Sequence, residues 1–521
     1  MTVSIAGMSR VDRRLVVGVA ITTAVATVSG ATFNYIITPL TQDLDATERQ
    51  ISLLRQLPSI GALLVIFLAG AWGLRVGARR VIVGCALMTA VGYAIVSVAP
   101  VMAVASFGML LGSIGKQGLF VLAFGLLAAK LSSDDDRATG FAILAAVTPF
   151  VYIVAPVIAT LVLTNQSWRS VTLMWAVVGV LGAVAARRLL PPDDAADLLG
   201  GEMWTPAVAG LGLAAVVQSI NNGSYSGWSA PGTLVWLAVA VLSFAVLWVL
   251  MTRLAHPTLD LTILKNGGVR LLLLVVALVP FTNMWYYATV GFQYVYGYDA
   301  VQSALVMVPA QIAGLVGAWL AGRWIQRRGI RFAGTAMMVV SAVSLFLSAA
   351  TTTTEPTGIP LLVLCLYSAA VTGTGIPLTN AIMNLAPRGG EGDASALRGA
   401  AGSLGAALGV VLMSTVVFTA YESSLGASLT AAGQDPEQVS QIAETLEQGV
   451  SSEEIAAQMA VPLETVEAVD AEQEQAMVDG YRAHGLVGGV VALLSAGVFF
   501  LNRRGLTGDR ADTAQSTGSS D

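Results

Sequence analysis

Gly70 to Arg80 reads GAWGLRVGARR, and Gly322 to Arg331 reads GRWIQRRGIR. Each closes a long apolar run with a burst of arginine. Each carries the same frame, Gly-x-Trp-x-x-Arg-x-Gly. A glycine where a greasy helix stops lets two helices approach closely. The arginines anchor that end at a membrane surface and can reach helix C-terminal carbonyls. Two equivalent copies, about 250 residues apart, imply two equivalent halves.

The rest of the chain fits a membrane setting. Its 521 residues are 55% hydrophobic and 11% charged, with mean hydropathy +0.74. A soluble chain carries about 25% charged residues. The apolar residues fall in blocks of roughly 18–25, the length that crosses a hydrocarbon core. The blocks are continuous, so they read as helices whose backbone is satisfied internally, not as barrel strands. The run from Leu15 has no small-residue cleavage site and reads as a retained helix. Fourteen spans are expected, beginning near Leu15, Ser52, Val81, Val101, Thr139, Val171, Pro206, Thr233, Leu271, Val301, Phe332, Ile359, Ala396 and Gly485.

Orientation follows from counting. With the N-terminus in the cytoplasm, 22 of the 27 Lys and Arg fall on cytoplasmic segments and four fall outside: Arg49, Arg55, Arg169 and Arg482. This is the asymmetry of the positive-inside rule. The acid is localised instead. Between Glu422 and Tyr481 lie thirteen Asp and Glu and no Lys or Arg. Asp435-Pro436-Glu437, the SSEE at Ser451, Gly449 and Pro462 punctuate that stretch into two or three short helices outside the membrane. It reads as a solvated loop, or as a lid or protein-docking element. The tail 505–521 has a disordered composition.

Several chemistries find no support in the residues. Cys85 and Cys365 lie within spans, with no metal or disulfide spacing. His256 and His484 lie near loops. There is no Walker-type loop for ATP, no nucleophile elbow, and no basic cluster for nucleic acid. No enzyme, metal or cofactor is expected.

The arginine-rich frames resemble the loop 2–3 signature of the major facilitator superfamily, G-x-x-x-D-R-x-G-R-[KR]. Gly70, Arg75, Gly77 and Arg79 match in the first copy, and Gly322, Arg327, Gly329 and Arg331 in the second. Leu74 and Gln326 stand where the signature has its acid, and Ala78 replaces an arginine. YIVAPVIATLVL, with Ala155-Pro156, resembles the antiporter motif of the fourteen-helix drug:proton antiporter branch. SWRSVTLMW, GWSAPGTL and HPTLDLTILKN resemble other segments of that branch. The resemblance implies an all-α polytopic fold: a six-helix bundle (1–190), a linker with two extra helices (191–256), and a second bundle (257–504) that includes the acidic loop 422–481. It implies a multi-pass carrier in a cell membrane. Such internal repeats rock around a midplane site. Twenty-four Arg against three Lys point to a GC-rich bacterial genome.

Candidate substrate or coupling residues are polar groups inside spans, because burying them is costly. All 32 Asp and Glu fall in loops or termini under this assignment. The family carries an aspartate about nine residues before a proline in span one; counting back from Pro39 gives Gly30. The span-four arginine of the family is missing near Gly108. Lys116 is the remaining charge, and reads either as a snorkelling lysine or as a cavity-facing cation that binds an anionic substrate group or exchanges a proton. Gln117 adjoins it. Asn34, Tyr35, Gln56, Tyr152, Asn283, Trp285, Tyr286, Gln311, Tyr367 and Asn380 are the other candidates, either for an amphiphile site or, around Trp285, for an aromatic belt. Asp43 or Asp45 could pair with Arg55. Pro149, Pro156, Pro280, Pro309 and Pro377 free backbone carbonyls within spans. The expected function is export of amphiphilic drugs or natural products, with protons or another ion as coupling partner. The alternatives are a lipid or glycolipid flippase, an anionic-metabolite carrier, and a sensor that recruits a partner through the acidic loop.

Overall fold

The computed structural model describes residues 8–131, 134–193, 202–254, 258, 261–294, 296, 298, 302, 305–350, 358–385, 391–431, 441–442, 445 and 452–502. No strand occurs among them. The first half contains α1 (Arg10–Asp43), α2 (Glu48–Val65), α3 (Leu68–Val76), α4 (Ala78–Ser97), α5 (Met102–Lys130), α6 (Asp134–Asn165) and α7 (Trp168–Leu189). A hairpin of α8 (Trp204–Ser226) and α9 (Pro231–Arg253) follows. The second half contains α10 (Gly267–Leu278), α11 (Trp285–Tyr294), α12 (Val308–Ala350), α13 (Gly358–Leu385), α14 (Glu391–Ala431), the short α15 (Ser452–Met459) and α16 (Leu463–Leu501).

Ten helices among the described residues are long and apolar enough to cross a membrane. One of them, α12, is two helices joined at Gly329. The remaining expected spans correspond to α8 and to the interrupted pairs α2–α3 and α10–α11. Local chemistry sets the starts. Thr47 and Gln50 form a reciprocal capping box at α2, and Pro231 opens α9 where its missing N–H costs nothing. Large apolar side chains remain exposed along α9, including Leu242 and Trp248, 66% and 72% exposed. A patch of that size on a soluble chain would aggregate; on a membrane chain it faces lipid.

Within each half, helices touch backbone to backbone. A methyl on Gly92 of α4 would lie 2.3 Å from the Gly112 nitrogen of α5. A methyl on Gly317 of α12 would lie 1.9 Å from the Ala369 carbonyl oxygen of α13. Small residues are what association in lipid relies on. One apolar cluster joins the halves beside the linker: Leu63, Ile66 and Phe67 at the end of α2, Leu213 and Val217 of α8, and Ala396 and Ala400 of α14; elsewhere α6 packs against α12 and α5 against α14. Ile66 Cδ1 lies 2.7 Å from where a methyl on Gly399 would sit. The linker hairpin is therefore packed against the seam between halves. At its base, Glu202 accepts from the Thr205 hydroxyl, the Thr205 amide (2.8 Å) and the Thr258 amide (3.0 Å). Partial burial raises this carboxyl, but the hydrogen bonds outweigh it and hold it below the usual glutamate range.

The repeated frame has one backbone solution in both copies. Gly77 takes φ 107°, ψ 133°, and Gly329 takes φ 82°, ψ 166°. This region is open to glycine alone. It lets an apolar helix end and the next begin without an intervening loop. The signature's acid is missing at Leu74, but an acid reaches the first copy from elsewhere. Asp193, after α7, accepts from the Arg79 amide (2.8 Å) and the Arg80 amide (3.2 Å), and its oxygen lies 3.9 Å from the Arg80 guanidinium. It thus caps the N-terminus of α4, where a negative charge is favoured. The Arg79 guanidinium donates to the Arg187 carbonyl at the end of α7.

Two expectations need correction. Among the described residues the acidic stretch contributes one short helix, α15, and long extensions of α14 and α16. Val466, Val469 and Ala476 give α16 a buried stripe at helical spacing against Leu425 and Ile455, so nothing stops the helix after Pro462. Glu464, Glu467 and Asp470 occupy its exposed side. Asp435–Glu437 and Gly449 lie outside the described residues. Pro309 is the second residue of α12, where it frees no carbonyl. Asp43 is held by Arg169 (2.9 Å) and by the Trp168 indole (3.2 Å); the Arg55 side chain is outside the described set.

Substitution of the two glycines should separate strain from crowding. Gly329→Ala meets nothing within 4 Å and adds only backbone strain, about 1–2 kcal/mol. A methyl on Gly77 would lie 2.3 Å from the Asp193 carboxylate carbon, so Gly77→Ala should lower the thermal midpoint in detergent by clearly more than Gly329→Ala. Equal shifts would remove the Asp193 cap from the account.

Candidate functional site

Polar side chains line the interior of the first half, and hydroxyls outnumber charges. α1 presents Thr22, Thr23, Thr27, Ser29 and Thr32, all buried. Tyr93 of α4 donates to Ser29 (2.8 Å), and the Trp175 indole of α7 donates to Thr32 (2.8 Å). The two rings meet edge to face at 5.0 Å. α1, α4 and α7 are thus stapled by hydrogen-bonded aromatics, which lipid makes hard to break.

Lys116 lies on the stripe of α5 that carries Met109 and Ala123, one heptad to either side. Met109 belongs to the cluster with Ile36, Ile37 and Leu40; Ala123 belongs to that with Leu15, Val16 and Val19. The same clusters also hold residues of α2, α4, α6 and α7, so the stripe lies toward the interior of the first half. Lys116 is partly buried, and has no hydrogen-bond or ion-pair partner among the described residues. Gln117, next to it, is also partly buried. Gly30, where the family resemblance would place an aspartate, faces Tyr152 of α6: the phenol oxygen lies 3.5 Å from the methyl position. Asn34 is exposed and Tyr35 partly buried. The structure brings neither into contact with Lys116.

Gln56 turns toward the linker. It accepts from the Gln218 amide of α8, which also donates to Asn222 (3.1 Å). Gln218 is 4% exposed. Sequence reading missed Gln218 and Asn222, although two amides one helical turn apart in an apolar span are a legible signal.

The second half gathers its candidates at a break. α10 gives way to a 3-10 turn, Val279–Thr282, before α11 resumes at Trp285. Pro280 starts the turn and cannot donate. The freed groups find side chains. The Met284 amide donates to the Tyr367 hydroxyl of α13 (3.3 Å), which also bonds Thr282. The Trp285 amide donates to the Asn283 side chain (3.2 Å). The Asn283 carbonyl takes a bond from His484 of α16. Beneath the turn, Thr282, Ser341, Thr374 and Ser495 share with Val279, Met338, Val371 and Ala492 the walls of a small, mostly apolar void, too small for an amphiphile. Asn283, Trp285 and Tyr367 thus come together, while Gln311 and Asn380, both partly buried, stand apart. Tyr286 lies in α11, its side chain outside the described set. Pro156 lies inside α6. His484 was read only as a loop neighbour; its role depends on α11, which sequence distance hides.

Many long apolar helices, lipid-facing apolar side chains and polar side chains turned to the interior define a polytopic membrane protein. Residues 19–410 match the family model of the Major Facilitator Superfamily, and the chain belongs to that superfamily of transporters. It is similar to the multidrug resistance protein Stp of Mycobacterium tuberculosis, 24% identical over 74% of this chain and 72% of that one. It is also similar to the tetracenomycin C resistance and export protein of Streptomyces glaucescens, 25% identical over 68% and 66%. The crystal structure of the human organic anion transporter MFSD10 shares the fold, with TM-score 0.60 at 14% identity over 94% of this chain and 99% of that one.

Tyr367→Phe should leave the Met284 amide without its partner at the break, costing about 1–3 kcal/mol. Faster hydrogen exchange at Met284 with a lowered thermal midpoint is the expected outcome. An unchanged exchange rate would show that the turn is held elsewhere.

Proposed function

We propose that this transporter exports amphiphilic small molecules, drugs or natural products, by alternating access of its two halves. The observation that carries this is the matched helix break at Gly77 and Gly329. The same glycine-only conformation sits at the same point of each repeat, and the α2–α14 part of the seam is lined by small and apolar residues. Internal repeats around a midplane site are the architecture of this cycle. The 22-to-4 distribution of basic residues supports cytoplasmic termini and an external acidic segment. The names of the relatives, multidrug resistance and antibiotic export, support outward movement of drugs. No covalent step is needed, and substrate passes unchanged.

A second reading is favoured by one observation. Lys116 lies within α5 without an ion-pair partner among the described residues, and the span assignment read from the sequence leaves the carboxylates in loops, termini and helix ends. That charge balance suits an anionic or zwitterionic amphiphile, including a lipid or glycolipid, better than a cationic drug.

Uptake into inverted vesicles, with an imposed pH gradient and parallel panels of cationic and anionic amphiphilic dyes, tests both. Export of any panel member by wild type, and none by empty vesicles, supports the proposal; no gradient-dependent movement of any would oppose it. Lys116→Ala should cut kcat/KM for anionic dyes by about tenfold or more, while leaving cationic dyes within about twofold. Equal effects on both would discard the anion-binding role.

A further inference from the structure

The broken helix of the second half is fastened by an imidazole that the transport account does not use. His484 of α16 is 2% exposed. Its ring lies 4.1 Å from that of Tyr287 in α11, and Tyr287 also meets Tyr481 at 5.9 Å. One ring nitrogen donates to the Asn283 carbonyl at the break. The other, Nε2, is buried and has no hydrogen-bond partner among the described residues. The neutral imidazole fits this enclosure: one N–H is used, and the bare nitrogen asks for nothing that aromatic walls refuse strongly. An imidazolium does not fit, because it adds a second N–H and a charge with no acceptor.

Among the described residues, the surroundings offer that charge no free counter-ion. On its own helix the nearest carboxylate, Asp479, is engaged by Arg482 (2.8 Å) and by Ser424 of α14 (2.7 Å). From α12 the facing atoms are the Leu345 carbonyl, Ser348 and Ala349, which surround the methyl position of Gly485. From α14 they are Val417 and Met413, beside Gly480 and Gly488. From α11 the titratable group is Tyr287, and from α13 it is Tyr367, already bonded to Met284. α15 brings Glu453 and Glu454, both exposed, to the distal part of α16. The Tyr287 face offsets part of the cost of a cation, but leaves the new N–H unbonded.

We propose that His484 is a proton-binding site that works as a clamp: neutral, it ties α16 to the break between α10 and α11; protonated, it leaves its aromatic pocket and frees α11. Binding is simple proton addition at Nε2, with the proton drawn from water on the side of the acidic segment, and the positive charge stays on the ring. The site would give a chain with no midplane carboxylate in its span assignment a place where a proton acts on a gating element. Its coupling to substrate rests on the transporter reading; the clamp itself does not.

The test uses full-length protein in lipid nanodiscs, without substrate. Hydrogen exchange of peptides covering Asn283–Tyr294, corrected for intrinsic pH dependence, is compared at pH 8 and pH 5. Wild type should exchange severalfold faster at pH 5, and His484→Phe, which keeps the ring stack without the proton, should stay protected at both. Nitrogen-15 spectra of labelled histidine (two residues in the chain) follow His484 in the wild type and do not depend on a variant folding. Its conversion to imidazolium over the same pH range as the opening is expected. The proposal is overturned if His484→Phe opens on acidification as wild type does, or if His484 stays neutral while the segment opens. It is also overturned if wild type does not open at pH 5. A chain that transports nothing but passes this test would sink the transport reading and leave the clamp.

Discussion

Backbone groups in hydrocarbon have no water to bond, so a chain in lipid is helical wherever it is not helped by side chains. That constraint explains where this molecule is regular and where it is not. Helices run without interruption until they meet a position that supplies a substitute. At Gly77 the substitute is a residue without a side chain, with the Asp193 carboxylate on the next helix's amides. At Val279–Met284 it is a ring of borrowed hydroxyl, amide and imidazole from Thr282, Asn283, Tyr367 and His484. The first kind of break is compact and small-residue, suited to a point about which packed helices turn. The second kind is polar and depends on several helices at once, suited to a point that changes state.

The electrostatics follow the same logic. The span assignment read from the sequence leaves no midplane carboxylate as the usual place for a mobile proton, and Lys116 stands within α5 without an ion-pair partner among the described residues. A cation held in lipid without a counter-charge is expensive, and is retained where it meets an anion from outside or a proton's departure. The phenol of Tyr152 beside Gly30 occupies the place of the expected aspartate with a group that stays neutral. Charge pairing is instead concentrated at the helix ends. Asp43 with Arg169 closes one end of the first half, and Asp193 with Arg80 the other.

Much of this was legible in the residues. The apolar block lengths and the repeated glycine–arginine frame carried the fold, while the run of acids without bases left its role open. The leading glycines of the frame, Gly70 and Gly322, read as close helix approaches, but a methyl there meets nothing within 4 Å; the positive φ falls on Gly77 and Gly329 instead. What escaped was whatever depends on distant segments meeting. Asp193 looked like linker, because its partners lie 114 positions earlier. Gln56 looked like a cavity residue until α8 placed Gln218 against it. The acidic segment looked like short helices throughout; Pro462 does start a new helix, but the buried stripe through Val466 and Val469 carries that helix on into the last span. The candidate site was legible as a list of residue types and not as an arrangement.

The central claim is that the seam at the motif end and the mouth at the opposite end open in turn. Electron-spin distance measurements across both ends test it most directly, after replacing Cys85 and Cys365. One label pair would sit at Val76 and Leu501, 40% and 73% exposed, and the other at Val98 and Leu362, 74% and 70% exposed. The account predicts two distance populations at each end in liposomes. A pH gradient or a transported dye should lengthen one distance while it shortens the other. Distances that stay single-valued at both ends, or that lengthen together, would contradict it.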